Sequence, residues 1–77
     1  MFQLTVSKVN ELLFHGEAQS VNCPGSAGEL TVLPHHAPLV TTLREGEIRI
    51  KTPDGPTNIP VTHGILEVSN NKVVILL

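Results

Sequence analysis

His35 and His36 stand side by side between Pro34 and Pro38, and with His15 and His63 they make up the 4 histidines of a 77-residue chain. Imidazole is the commonest metal ligand, so three of these groups converging with an acidic residue would bind zinc, copper or nickel. Their spacing opposes it. Adjacent residues of an extended chain point to opposite sides, so His35 and His36 do not chelate one ion together, and the His-x-His spacing that would is absent. His15 and His63 each precede a glycine, Gly16 and Gly64, where a strand end or bulge makes them polar caps. No metal and no cofactor is expected.

Nucleophilic chemistry meets a similar obstacle. Cys23 precedes Pro24 in an apolar segment with no cation or helix start beside it to lower its pKa, so it reads as a small core side chain. As the only cysteine it forms neither an internal disulfide nor a cysteine-based zinc site, which suits a reducing compartment. Ser7, Ser20, Ser26 and Ser69 fall on strand faces or in turns, outside any Gly-x-Ser-x-Gly elbow. Glu45 and Glu47 flank Gly46 as solvated turn charges. Gly25-Ser26-Ala27-Gly28 lacks the Lys and Ser/Thr of a phosphate loop and leads into a strand, not a helix whose N-terminus would hold an anion. With every catalytic template failing on geometry and residue type, binding is what remains.

The elements that must position these residues are strands. Phe2, Leu4 and Val6 alternate with Gln3, Thr5 and Ser7, the period of a pleated strand with one apolar face. Ile48 and Ile50, Ile59 and Val61, and Leu66 and Val68 repeat the pattern as half-buried strands with a wet outer face. Pro53-Asp54-Gly55 and Asn70-Asn71 read as hairpin turns, the first through its preset φ and the second through tolerance of left-handed backbone. Between Leu12 and Cys23 the apolar parity slips: Leu12, Phe14 and Ala18 share one phase, Val21 and Cys23 the other. An extra residue would cause this, and Gly16 is the expected place. Counting gives roughly eight or nine short strands and no repeat or linker, an all-β sandwich or barrel forming one domain over residues 1–77.

Composition narrows the role. A chain this short hides only about 60% of its unfolded surface, so a deep cleft is hard to enclose. Charged residues make up 16% of the chain, against roughly 25% in an average soluble domain. Faces poor in charge suit cover by partners. A net charge of −2 gives no basic field for nucleic acid. The start at Phe2-Gln3-Leu4-Thr5-Val6 is not a secretion signal, and the run Val73–Leu77 is far short of the roughly 20 residues a membrane helix needs.

The stretch "GELTVLPHHAPLVTTL", followed by "GEIRI" at 46–50 and "GILEV" at 64–68, resembles the N-terminal domain of the epsilon subunit of F-type ATP synthases, called delta in mitochondria. The resemblance covers essentially all 77 residues. Its most specific elements are Gly28-Glu29-Leu30, Leu33-Pro34 with His36-Ala37-Pro38-Leu39, Ile48-Arg49-Ile50 and Gly64-Ile65-Leu66-Glu67-Val68. It implies a flattened β-sandwich of about ten short strands, somewhat more than the pattern alone suggests.

That resemblance also implies a role without chemistry of its own. In such synthases the domain sits at the foot of the central stalk, bound to gamma and resting on the loops of the membrane c-ring, and couples ion flow to ATP synthesis. Glu29, between Gly28 and Leu30, matches the position that meets the ring loops, and His36, Ala37 and Pro38 match the loop near the gamma and ring contacts. The chain is then a non-catalytic rotor subunit, peripheral to the energy-coupling membrane on the catalytic-head side. Pro34 and Pro38 stiffen that loop and remove amide donors, which lowers the ordering cost of binding. His35 departs from the family, where glycine or another small or polar residue is common, and so questions any positive-φ requirement there. Many members continue into a pair of helices. With nothing after Leu77 the expectation is a chain that couples without inhibiting through those helices and lacks a C-terminal helical hairpin. The rival readings are a free-standing β-sandwich adaptor for another protein and, from a different class, a histidine-based metal protein.

Overall fold

Phe2, Leu4 and Val6 are all buried and the residues between them are half-buried, so the first alternating segment is a strand with its apolar face turned into the core. The computed structural model describes residues 1–77 and consists of nine strands joined by turns and short loops, with no helix. In chain order they are β1 Phe2–Lys8, β2 Glu11–Ala18, β3 Ser20–Gly25, β4 Gly28–Val32, β5 Leu39–Leu43, β6 Gly46–Thr52, β7 Gly55–Val61, β8 Gly64–Ser69 and β9 Lys72–Leu76. The fold is a β-sandwich of nine strands, at the upper end of the count from alternation and below the ten that the family resemblance implied.

Pairing runs β2-β1-β9-β8-β5 and then β3-β6-β7, with β4 on the other edge of β3. The link between the two groups is slight: β5 meets β3 only at Leu43 and Gly25, where the sheet folds over on itself. All neighbours are antiparallel except β1 and β9, which run parallel from Gln3 opposite Lys72 to Ser7 opposite Leu76. The chain's first and last strands thereby lie side by side. One cluster of 16 buried apolar residues fills the interior, and every strand contributes to it. It includes Leu4, Val21, Ile48, Ile50, Leu66 and Ile75, and no polar side chain is buried with them. Full burial of side chains of this size stabilises by about 1.5–3 kcal/mol each.

Both anticipated hairpins form. Thr52 pairs with Gly55, leaving Pro53 and Asp54 as a two-residue turn, and the Thr52 hydroxyl donates to the Gly55 carbonyl at 2.8 Å. Ser69 pairs with Lys72 around Asn70 (φ 51°) and Asn71 (φ 59°). Two successive positive φ values are the mark of a type I′ turn, whose twist suits a hairpin.

The parity slip has a different origin from the one expected. Gly16 pairs regularly with Leu4, whereas the register of β1 and β2 jumps between Val6 opposite Phe14 and Ser7 opposite Leu12. Leu13 is therefore the extra residue. The bulge turns Leu13 toward the core and leaves Leu12 63% exposed, so Leu12 does not belong with Phe14 and Ala18. The second phase change is a corner: β2 ends at Ala18, and Gln19 donates its N–H to the Lys51 carbonyl at 2.7 Å as the chain passes to the other layer.

Candidate functional site

The β4–β5 connection, Leu33 to Pro38, begins as a tight turn in which the His36 N–H donates to the Leu33 carbonyl at 3.2 Å. Pro34 occupies the first central position, where its fixed φ is favourable, and His35 the second, at φ 64°. That combination defines a type II turn, in which glycine is the usual second residue. The positive φ is thus retained although histidine fills the place. Short-range tolerance of this region by histidine is greater than by branched side chains.

The neighbouring hairpin holds the turn in place. The His35 N–H donates to the Asn71 side-chain oxygen Oδ1 at 2.8 Å, and the Asn71 amide nitrogen Nδ2 donates to the Met1 carbonyl at 3.0 Å. The Asn71 carbonyl accepts from the Gln3 N–H at 3.3 Å. His36, half-buried, donates from Nδ1 to the Ala37 carbonyl at 2.7 Å. A carbonyl only accepts, so the Nδ1 proton is fixed and the neutral ring presents Nε2 as an acceptor. Ala37 and Pro38 are exposed.

Glu29 lies elsewhere. It is the second residue of β4, opposite Pro24, just after the Ser26–Ala27 hairpin that joins Gly25 to Gly28. It is exposed, and the chain's single ion pair is Arg49 with Glu47 at 3.5 Å, so no cation of the chain neutralises its carboxylate. Gly28 has φ 137°, available to glycine, and Leu30 packs against the core. The six residues expected from sequence thus form two groups: Gly28, Glu29 and Leu30 at the start of β4, and His36, Ala37 and Pro38 in the loop beyond its end. Extended backbone from Glu29 to Val32 spans about 10 Å. The register keeps the groups apart, since Leu39 pairs with Val68 beside the Asn70–Asn71 turn while Leu43 pairs with Gly64 and Gly25 at the opposite end of β5.

The other candidates are dispersed. His15 lies on the outer face of β2, with Nδ1 3.0 Å from the Thr5 hydroxyl, and His63 is exposed between β7 and β8. No three His, Cys, Asp or Glu side chains are grouped to hold a metal ion. Cys23 is fully buried, and burial pushes its thiol up from 9.0 to about 12. It is neither a ready nucleophile nor a ready ligand.

Sequence reasoning missed one surface. On the outer face of β5, β8 and β9, Val40, Ile65 and Leu76 are 68%, 47% and 52% exposed, and Ile65 stands directly opposite Leu76. Adjacent exposed apolar side chains are the usual mark of a contact surface. The signal was present in the parity: if Leu66 and Val68 point inward, Ile65 must point out.

Residues 1–77 match the family described as ATP synthase, Delta/Epsilon chain, beta-sandwich domain. The chain belongs to that family. Among curated relatives of the delta/epsilon family, the ATP synthase epsilon chain of Bordetella petrii is 45% identical over 75 residues, covering 96% of this chain and 53% of the relative. The ATP synthase epsilon chain of Polaromonas naphthalenivorans is 44% identical over 72 residues, covering 92% of this chain and 52% of the relative. This chain therefore spans about half the length of the curated relatives it matches. Two solved structures contain a chain of the same fold. A chain in the cryo-EM structure of the central stalk and c-ring of the Tetrahymena thermophila mitochondrial ATP synthase superposes with a TM-score of 0.82 at 12% identity, over 96% of this chain and 60% of that one. A chain in the OSCP/F1/c-ring structure of the Euglena gracilis mitochondrial ATP synthase gives 0.87 at 22% identity, over 95% and 48%. At such identities the likeness speaks for the fold alone.

Proposed function

We propose that this chain is the β-sandwich portion of a non-catalytic central-stalk rotor subunit of an F-type ATP synthase, linking gamma to the membrane c-ring and supporting the coupling of ion flow to ATP synthesis. The observation that carries this reading is the family match over residues 1–77. The relatives named ATP synthase epsilon chain support it.

In this reading Glu29, with Gly28 and Leu30, meets the ring loops. The carboxylate is exposed and free of an internal ion pair, so polar or basic groups of a partner reach it without first breaking a bond. His36, Ala37 and Pro38 form the contact on the loop, where His36 offers Nε2 to a partner's donor. Gamma covers the apolar face around Val40, Ile65 and Leu76. Torque demands surfaces that do not yield, and strand ends and a proline-bounded loop on a closed core supply them. The subunit sits peripheral to the membrane on the catalytic-head side, and the assembly holds it there.

The test is reconstitution. Added to a synthase stripped of its own epsilon subunit, the chain is expected to bind and to restore ATP-driven ion pumping into vesicles. Binding without any gain in pumping would contradict the coupling role.

A further inference from the structure

We infer that Asn71 is a positioning residue, holding the Pro34–Pro38 loop in the conformation that presents His36, Ala37 and Pro38 to the rotor partners; this rests on the function proposed above. Asn71 belongs to a different hairpin and contacts none of those three residues by hydrogen bond. Its side chain instead bridges two segments that the chain brings together from far apart. Oδ1 accepts from the His35 N–H at 2.8 Å, across 36 positions, and Nδ2 donates to the Met1 carbonyl at 3.0 Å, across 70.

Few residue types serve here. The position requires φ near 59°, which asparagine and glycine adopt readily. The tie to the loop also requires a short side-chain acceptor, which asparagine and aspartate have and glycine lacks, and asparagine adds a donor for the Met1 carbonyl. The loop lacks other ties. Pro34 and Pro38 have no N–H, and the His36 N–H is committed to the turn itself through the Leu33 carbonyl at 3.2 Å. The Asn71 amide is thus the side-chain tie between the His35 turn and the body of the sandwich. Without it the turn survives, but its angle to the sheet is no longer fixed, and a partner must order it on binding.

Two substitutions separate this role from mere folding. Asn71→Gly keeps the left-handed turn and removes both hydrogen bonds. Asn71→Asp keeps the acceptor for His35 and removes the donor to Met1. Amide hydrogen exchange of the whole chain is read first, followed by binding to a gamma–c-ring assembly lacking epsilon. Removing one hydrogen bond of ordinary strength is expected to speed exchange of the His35 amide by about five- to ten-fold in Asn71→Gly, with amides of β8 and β9 unchanged. Binding of Asn71→Gly is expected to weaken by a similar factor, about five- to ten-fold, while Asn71→Asp protects the His35 amide and binds nearly as wild type. Unchanged His35 exchange in Asn71→Gly, or faster exchange with undiminished binding, would overturn the positioning role. Failure of the wild-type chain itself to bind is the distinct signature of a wrong functional reading, and it would overturn the inference along with it.

Discussion

The backbone N–H of His35 and the side-chain oxygen of Asn71 meet at 2.8 Å, joining the β4–β5 turn to the β8–β9 hairpin at one end of the sandwich. Both residues have positive φ, 64° and 59°. Two left-handed residues therefore face each other where the loop leaves the sheet, and each has its own reason for that conformation: the second position of a type II turn for His35, a type I′ hairpin for Asn71.

A left-handed residue with a side chain costs roughly 1–2 kcal/mol, offset in glycine by greater freedom of the unfolded chain. His35→Gly is expected to raise unfolding free energy by up to about 1 kcal/mol, because the exposed imidazole contributes little packing. His35→Val, branched at Cβ, is expected to lower it by about 1–2 kcal/mol. Urea denaturation of the three proteins side by side checks both signs.

Gly64 opens β8 where β9 ends, and a Cβ there would sit 2.6 Å from the Leu76 carbonyl oxygen and 2.8 Å from the Leu77 side chain. The first of these is backbone and cannot swing aside. Gly64→Ala is expected to lose about 1–3 kcal/mol, the usual cost of overpacking, with a lowered midpoint in thermal melts followed by circular dichroism. A midpoint equal to wild type would mean that β9 shifts freely, contrary to its pairing with both β1 and β8.

Burial raises the Cys23 thiol from 9.0 to about 12, and the sign of its effect on stability follows. Below 9.0 the thiol is neutral in both states, so its contribution is fully present. Between 9.0 and about 12 the unfolded chain loses a proton that the folded chain keeps, and stability falls as pH rises. Cys23→Ala removes this slope at some cost in packing. Comparing denaturation of the two proteins across that alkaline window tests it, and the native thiol is expected to resist alkylation until the chain unfolds.

Glu29→Ala and His36→Ala remove side chains outside the buried core, so each is expected to change stability by less than about 0.5 kcal/mol. On the function proposed above, each is expected instead to weaken binding to the ring and gamma several-fold. The two groups lie at opposite ends of β4, so the losses should be additive in the double variant. Sedimentation with a rotor lacking epsilon measures this, and equal loss of thermal stability in both variants would count against the assignment.

Alternation made most of the strands legible, because a period of two states which residues share a face. It says nothing of which strand lies beside which. The parallel pairing of β1 with β9 was therefore invisible, although each strand was plain. Leu13 escaped notice because a bulge is decided by its partner's register, and Gly16 drew attention only as the residue type that tolerates irregularity. Glu29 and His36 were readable as site candidates through family resemblance. Their separation, and the contact of His35 with Asn71, depend on the folded chain bringing together residues 36 positions apart.

If this sandwich is a rotor component, as proposed above, its partners can be captured from its own host. The chain, tagged, is used to draw partners from detergent-solubilised membranes, and the bound proteins are identified by mass spectrometry. Gamma and c subunits are expected among them, in amounts diminished by Glu29→Ala and by His36→Ala. Their absence from a folded bait, with intact synthase in the extract, would contradict the rotor reading and leave a β-sandwich that keeps the family's fold without its partners.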